Sequence, residues 1–162
     1  MRLEVFVPKK SNLKITTEGE IRLEGVSGKI DLKGGDEAIN IRDGEGQLTL
    51  SSTDARIRVI GFSGDIDAKN QDGTMNFEGD FQNFSAQTVD GKIVLTLPEN
   101  ANANIESNLK DTSAEGFTPN YMETTKDVFV WKVGKGGSNR KLYTTADGQI
   151  IVRNANVLKS VQ

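Results

Sequence analysis

Cysteine and histidine are both missing from the 162 residues. Their absence removes disulfides, thiolate nucleophiles, Ser-His and Cys-His catalysis, and zinc sites built on Cys or His ligands. Proline is scarce, at three residues, and aromatic residues make up only 6%. Apolar residues as a whole reach 35%, a supply that suits a narrow or elongated core better than a broad one. No apolar run approaches the roughly 18 residues of a membrane span, and the opening MRLEVFVPKK has no secretory apolar region, so direct membrane insertion is not expected. Neither sign of charge dominates. Twenty basic residues against 23 acidic ones leave a net charge of −3 spread along the chain, which gives nucleic acid no electrostatic footing.

What the chain does have is glycine, 17 residues of it, with many Thr, Asn and Asp, the composition of short strands joined by tight turns. It also has a period. Stepping nine residues from Ile21 gives Ile30, Ile39, Leu48, Ile57, Ile66, Met75, Phe84 and Ile93, all apolar. Two positions on, the same step gives Leu23, Leu32, Ile41, Leu50, Val59, Ala68, Phe77, Ala86 and Leu95. Between each pair stands Arg22, Asp31, Asn40, Thr49, Arg58, Asp67, Asn76, Ser85 or Val94, so each triplet reads in, out, in, as a strand with one buried face does.

The connections alternate between two kinds, which makes the full repeat 18 residues. One corner reads GVSG (25–28), DGEG (43–46), GFSG (61–64) and GDFQ (79–82); the other reads TTEG (16–19), GGDE (34–37), STDA (52–55), NQDG (70–73) and TVDG (88–91). In the second kind an acid recurs every 18 residues, at Glu18, Asp36, Asp54, Asp72 and Asp90. An antiparallel meander would use Asp-Gly as hairpin turns. Nine or more such strands would then have to close into a barrel too wide for Ile, Leu, Val and Ala to fill, and no amphipathic helix is present to cover an open sheet. In a two-strand coil the apolar faces meet across about 10 Å and coils stack about 4.8 Å apart, a gap that small aliphatic residues fill. The expected fold is therefore all-β, a parallel β-solenoid with two-strand coils of 18 residues.

The ends depart from the period. Leu13 and Ile15 precede Ile21 by one residue fewer than nine steps require, and Leu3, Val5 and Val7 form an alternating strand that helps close that end. Regular coils are expected over 13–100, an irregular cap over about 111–139, and a final coil over 142–153, all in one domain. The final coil is read from LYTTADGQIIV (142–152), which matches LKITTEGEIRL (13–23) at Leu, Thr, the acid-Gly pair and Ile. Within the cap, Phe129 and Trp131 are expected to shield the open stack, with Trp131 as core in preference to a ligand-stacking surface residue.

The opening NLKITTEGEIRL, the recurring acid-Gly before Ile, the run TVDGKIVLTLPENANANIES and the closing TTADGQIIV resemble the bacterial adhesin-type β-solenoid domain family, a domain of unknown function. The resemblance covers about residues 3–153 and implies an exported protein of the cell surface or periplasm, with no catalytic residues to carry over. Asp36-Glu37 and Asp54-Ala55 depart from the family's usual acid-Gly corner.

Three surfaces could carry chemistry. The acid column invites a calcium-stabilised β-roll reading, since calcium favours clustered hard oxygens. The Gly-Gly-x-Gly-x-Asp turn of such rolls is absent, however, and one acid per corner supplies few ligands. The preferred reading has each Asp accepting backbone N–H bonds while the following Gly takes a positive φ, with no metal bound. A polysaccharide-acting β-helix enzyme would draw on Asp31, Lys33, Asp67 and Lys69. Asp31 and Asp67 would stand two coils apart, about 9.6 Å, near the upper limit of an inverting carboxylate pair. Their polar surroundings supply nothing to split the two pKa values, so an ordinary charged face is preferred. The third surface is the opposite outer face, with Arg22, Asn40, Arg42, Arg58 and Asn76, and with Glu24 and Glu78 interspersed. Arg and Asn ladders can hold sulfated or carboxylated sugars or acidic protein patches by bidentate hydrogen bonds. The expectation is a non-enzymatic module without cofactors that binds a protein or carbohydrate partner through this face and self-associates through the solenoid ends.

Overall fold

A computed structural model describes residues 2–4, 12–79, 81–98, 100–108, 113–115, 120–124, 128–137, 139–145 and 148–155. Among these, the strands in chain order are β1 (Arg2–Glu4), β2 (Leu13–Thr16), β3 (Glu20–Glu24), β4 (Ser27–Lys33), β5 (Ile39–Arg42), β6 (Glu45–Ser51), β7 (Ile57–Ile60), β8 (Ser63–Asn70), β9 (Thr74–Glu78), β10 (Phe81–Thr88), β11 (Lys92–Leu97), β12 (Ala103–Ser107), β13 (Ser113–Glu115), β14 (Asn120–Thr124), β15 (Phe129–Val133), β16 (Asn139–Thr144) and β17 (Gln149–Asn154). The expected Val5 and Val7 of the first strand lie outside the described residues.

Alternate strands go to alternate sheets. The first sheet runs β1-β3-β5-β7-β9-β11-β17-β13 and the second β14-β15-β12-β16-β10-β8-β6-β4-β2. Through the repeat neighbours are parallel and in 18-residue register, apart from a shift in β10 between Phe81 and Phe84: Ile21 on Ile39, Ile39 on Ile57, Ile57 on Met75 and Met75 on Ile93 in one sheet, Ile30 on Leu48, Leu48 on Ile66 and Ile66 on Phe84 in the other. The first coil is one residue short, with Leu13 on Ile30. This is the parallel β-solenoid that the nine-residue period specifies, and the two apolar faces meet in one continuous buried cluster. Where the inward residues shrink to Ala68 and Ala86, rings fill the space. Phe77 meets Phe84 edge to face at 4.9 Å between centroids, and Phe81 stacks on Phe84 at 5.3 Å.

The two corners use glycine differently. Positive φ is found at the first kind, at Gly28, Gly46 and Gly64, which lie in register on one another. Gly73 and Gly91, in the Asp-Gly corners where positive φ was expected, do not adopt it. They are required by proximity instead: a Cβ on Gly73 would come 2.1 Å from the Ala55 carbonyl oxygen, and one on Gly91 2.2 Å from that of Gly73. Nor do carboxylates alone satisfy these turns. The Thr88 hydroxyl accepts from the Gly91 N–H at 2.9 Å and donates to the Gln71 carbonyl, and Thr144 repeats the arrangement with Gly148 and Val89. A hydroxyl three or four residues back sits on the inner side of the bend, where a solvent-facing carboxylate cannot reach.

At the far end the chain order and the spatial order part. β16 pairs with β10 and β17 with β11, so these two strands continue the stack directly onto the coil of β10 and β11. β12 precedes β16 in sequence but packs beyond it, in parallel, and then pairs antiparallel with β15, which pairs with β14. Trp131 on β15 faces the interior at 2% exposure, as cap core.

Candidate functional site

The outer face of the first sheet is built by the odd member of each triplet. In register, Arg22 stands next to Asn40, Asn40 next to Arg58, Arg58 next to Asn76 and Asn76 next to Val94. A second column, two residues on, runs Glu24, Arg42, Ile60, Glu78, Thr96 and Arg153. Because the strands are parallel and in register, a column is a row of side chains spaced by the strand separation, about 4.8 Å.

A groove of about 460 Å³ crosses this face, lined by residues of β5, β7, β9, β11 and β17 and by the Arg56 and Ala38 that precede β7 and β5. Of the five residues singled out in the sequence, Asn40, Arg58 and Asn76 line it together. Arg22 and Arg42 share the face but not the groove; Arg22 is instead engaged by Glu20 at 3.3 Å. Among the described residues, neither Arg56 nor Arg58 makes a side-chain hydrogen bond or ion pair, and the Asn40 and Asn76 amides are likewise unengaged. The far end is different, since Arg153 Nε donates to Glu115 Oε2 at 2.6 Å.

Four further lining residues stand outside that set of five. Arg56 lies at the corner, just outside the apolar triplet, where it also borders a smaller depression lined by Asp36, Glu37 and Asp54. Arg153 belongs to the inserted coil, whose neighbours cannot be read from the period. Val94 and Thr96 occupy outward positions yet are buried, so β11 is covered on both faces. Outward apolar Val94 was visible in the triplet series as its one break in polarity.

The other candidate surfaces are less gathered. Asp31, Lys33, Asp67 and Lys69 are all exposed on the outer face of the second sheet, with the Thr49 strand between the two Asp residues. In the acid column, local desolvation and then the Asp72 and Asp36 carboxylates raise the pKa of the exposed Asp54. Among the described residues no group of three or more Asp or Glu is gathered closely enough to hold a metal ion, and no helix is long and apolar enough to cross a membrane. On the second sheet's outer face the Tyr143 hydroxyl donates to Glu106, and burial together with that carboxylate pushes its pKa up to about 12.

Comparison with known proteins finds no curated protein and no solved structure that matches the chain. The family model described as Toastrack DUF4097, a domain of unknown function, matches residues 12–153. That span takes in both sheets of the solenoid, and the chain belongs to the Toastrack DUF4097 family.

Proposed function

We propose that this domain is a non-enzymatic interaction module of the cell envelope, and that the outer face of the first sheet is where it meets an acidic partner. The observation that carries this reading is the pairing of Arg56 and Arg58, both exposed and without an ion-pair partner, with the Asn40 and Asn76 amides in one groove. A guanidinium fork matches a carboxylate or sulfate bidentately, and a neutralised arginine would offer no such match. The groove sits on a chain of net charge −3, so attraction to an acidic partner must be local and not a matter of overall charge. The envelope location rests on the sequence resemblance.

Retention on a carboxylated matrix at low salt tests the reading. The protein is expected to be held back despite its net negative charge, and Arg56→Glu with Arg58→Glu is expected to abolish retention. Lys33→Glu with Lys69→Glu, on the opposite sheet, should leave retention unchanged. Equal loss from both pairs would overturn the assignment to this face.

A further inference from the structure

Resting on that reading, we infer that the ligand is a linear glycan in which carboxylated and neutral sugars alternate, lying across the strands and along the solenoid axis. The direction comes from the groove itself, which is contributed by five adjacent strands from β5 to β17. Four strand separations make it about 19 Å long in that direction. An extended pyranose chain advances by close to one strand separation per sugar, so about four sugars span this length and consecutive sugars face consecutive strands.

A peptide does not keep this step. Its side chains on one face recur at about 6.7 Å, out of phase with a ladder of about 4.8 Å. The side chains agree with a sugar as well. Asn40 and Asn76 flank Arg58 one strand to either side, which places an amide opposite each neighbour of a sugar whose carboxylate Arg58 takes. Within the groove this neutral, charged, neutral triad is bounded by Val94, one strand beyond Asn76. Glu78 also lines the groove. Its carboxylate can accept a hydrogen bond from a sugar hydroxyl. A ligand rich in hydroxyls and carrying a carboxylate between neutral units uses Asn40, Arg58, Asn76 and Glu78 together.

Calorimetric titration with hyaluronan oligosaccharides, which alternate a uronate and a neutral amino sugar, tests the inference. Affinity is expected to rise with length up to about four sugars and then level off. Arg58→Ala should weaken it about tenfold or more, the scale of one charged hydrogen-bonded pair. Melting curves of the variant, whose side chain is exposed, should be unchanged and so exclude misfolding as the cause. Dextran should not bind, and Glu78→Gln should not improve hyaluronan binding. If polyglutamate binds through Arg58 as tightly as hyaluronan, the glycan is wrong while the acidic-partner face stands. If hyaluronan binds and Arg58→Ala leaves its affinity intact, both the ligand's seat and the proposed face fall. Failure of hyaluronan to bind overturns the inference outright.

Discussion

Asn108 treats Thr144 as a neighbouring strand would: its Oδ1 accepts from the Thr144 N–H at 3.0 Å while its Nδ2 donates to the Thr144 carbonyl. One side-chain amide thus supplies the donor and acceptor that a further backbone residue would have supplied. Thr144 is buried, so removing the amide leaves its backbone polar groups without these partners. Asn108→Ala is expected to cost about 2–3 kcal/mol, roughly 5–10 °C of Tm. Asn108→Asp keeps the acceptor but loses the donor and should recover little of this. Thermal melts of both variants decide the matter; a wild-type Tm for the alanine variant would show the pairing to be idle.

The glycine ladder of the first corner offers an internal control. Gly64 has φ of 126°, and a Cβ there would come 2.1 Å from the Gly46 carbonyl oxygen. Gly25 has φ of 68° with nothing within 4 Å of its hypothetical Cβ. Alanine at Gly25 therefore pays only the left-handed backbone cost, about 1 kcal/mol, whereas alanine at Gly64 adds a clash with backbone and should cost about 2–4 kcal/mol. Denaturant titrations of the two variants should differ accordingly, and equal losses would contradict the stacking.

Asp54 links stability to acidity. Its pKa is raised in the folded chain, by local desolvation and then by the carboxylates of Asp72 and Asp36, so folding favours its protonated form. The stability it contributes is present below its unfolded value of about 3.8 and is lost as pH rises through the raised folded value. Asp54→Asn keeps the neutral form at all pH. The variant should be more stable than the wild type near pH 7, with the difference shrinking steadily toward about pH 4. Added calcium should not change the wild-type Tm; a shift of several degrees that Asp54→Asn abolishes would favour the calcium reading of the acid column.

Tyr143 should mark the alkaline limit. Its folded pKa of about 12 lies above the ordinary 10, so its contribution is intact below 10 and disappears as pH climbs toward 12. Burial would keep some of the shift in Glu106→Gln, but the loss of the carboxylate should bring the pKa part of the way down. Spectrophotometric titration of the phenol reads this directly. An unchanged curve would mean that burial alone holds the proton.

Much of this architecture is legible in the residues because a solenoid writes the same local instruction in each coil. Ile21, Ile39, Ile57, Met75 and Ile93 recur at the spacing that later stacks them, so the register of the first sheet follows from counting. Two things resist counting. Positive φ and close approach both select glycine, so Gly73 and Gly91 look alike to a turn rule that is wrong for them. The partner of an inserted strand depends on contacts distant in sequence, and LYTTADGQIIV announces a coil without saying where that coil sits. Arg153, which belongs to it, could not be assigned to the groove for the same reason.

That displaced coil also bears on how the molecule is made. A ribosome delivers β12 before β16, yet β12 is separated from β10 by the very strand that has still to be synthesised. Growth by simple addition, each turn templating the next, can proceed from β2 and β3 only as far as β10 and β11. β12, β15 and β14 can pair with one another beforehand, but they join the stack only through β16, so the turn of β16 and β17 enters between coils already made and acts as a keystone for the cap.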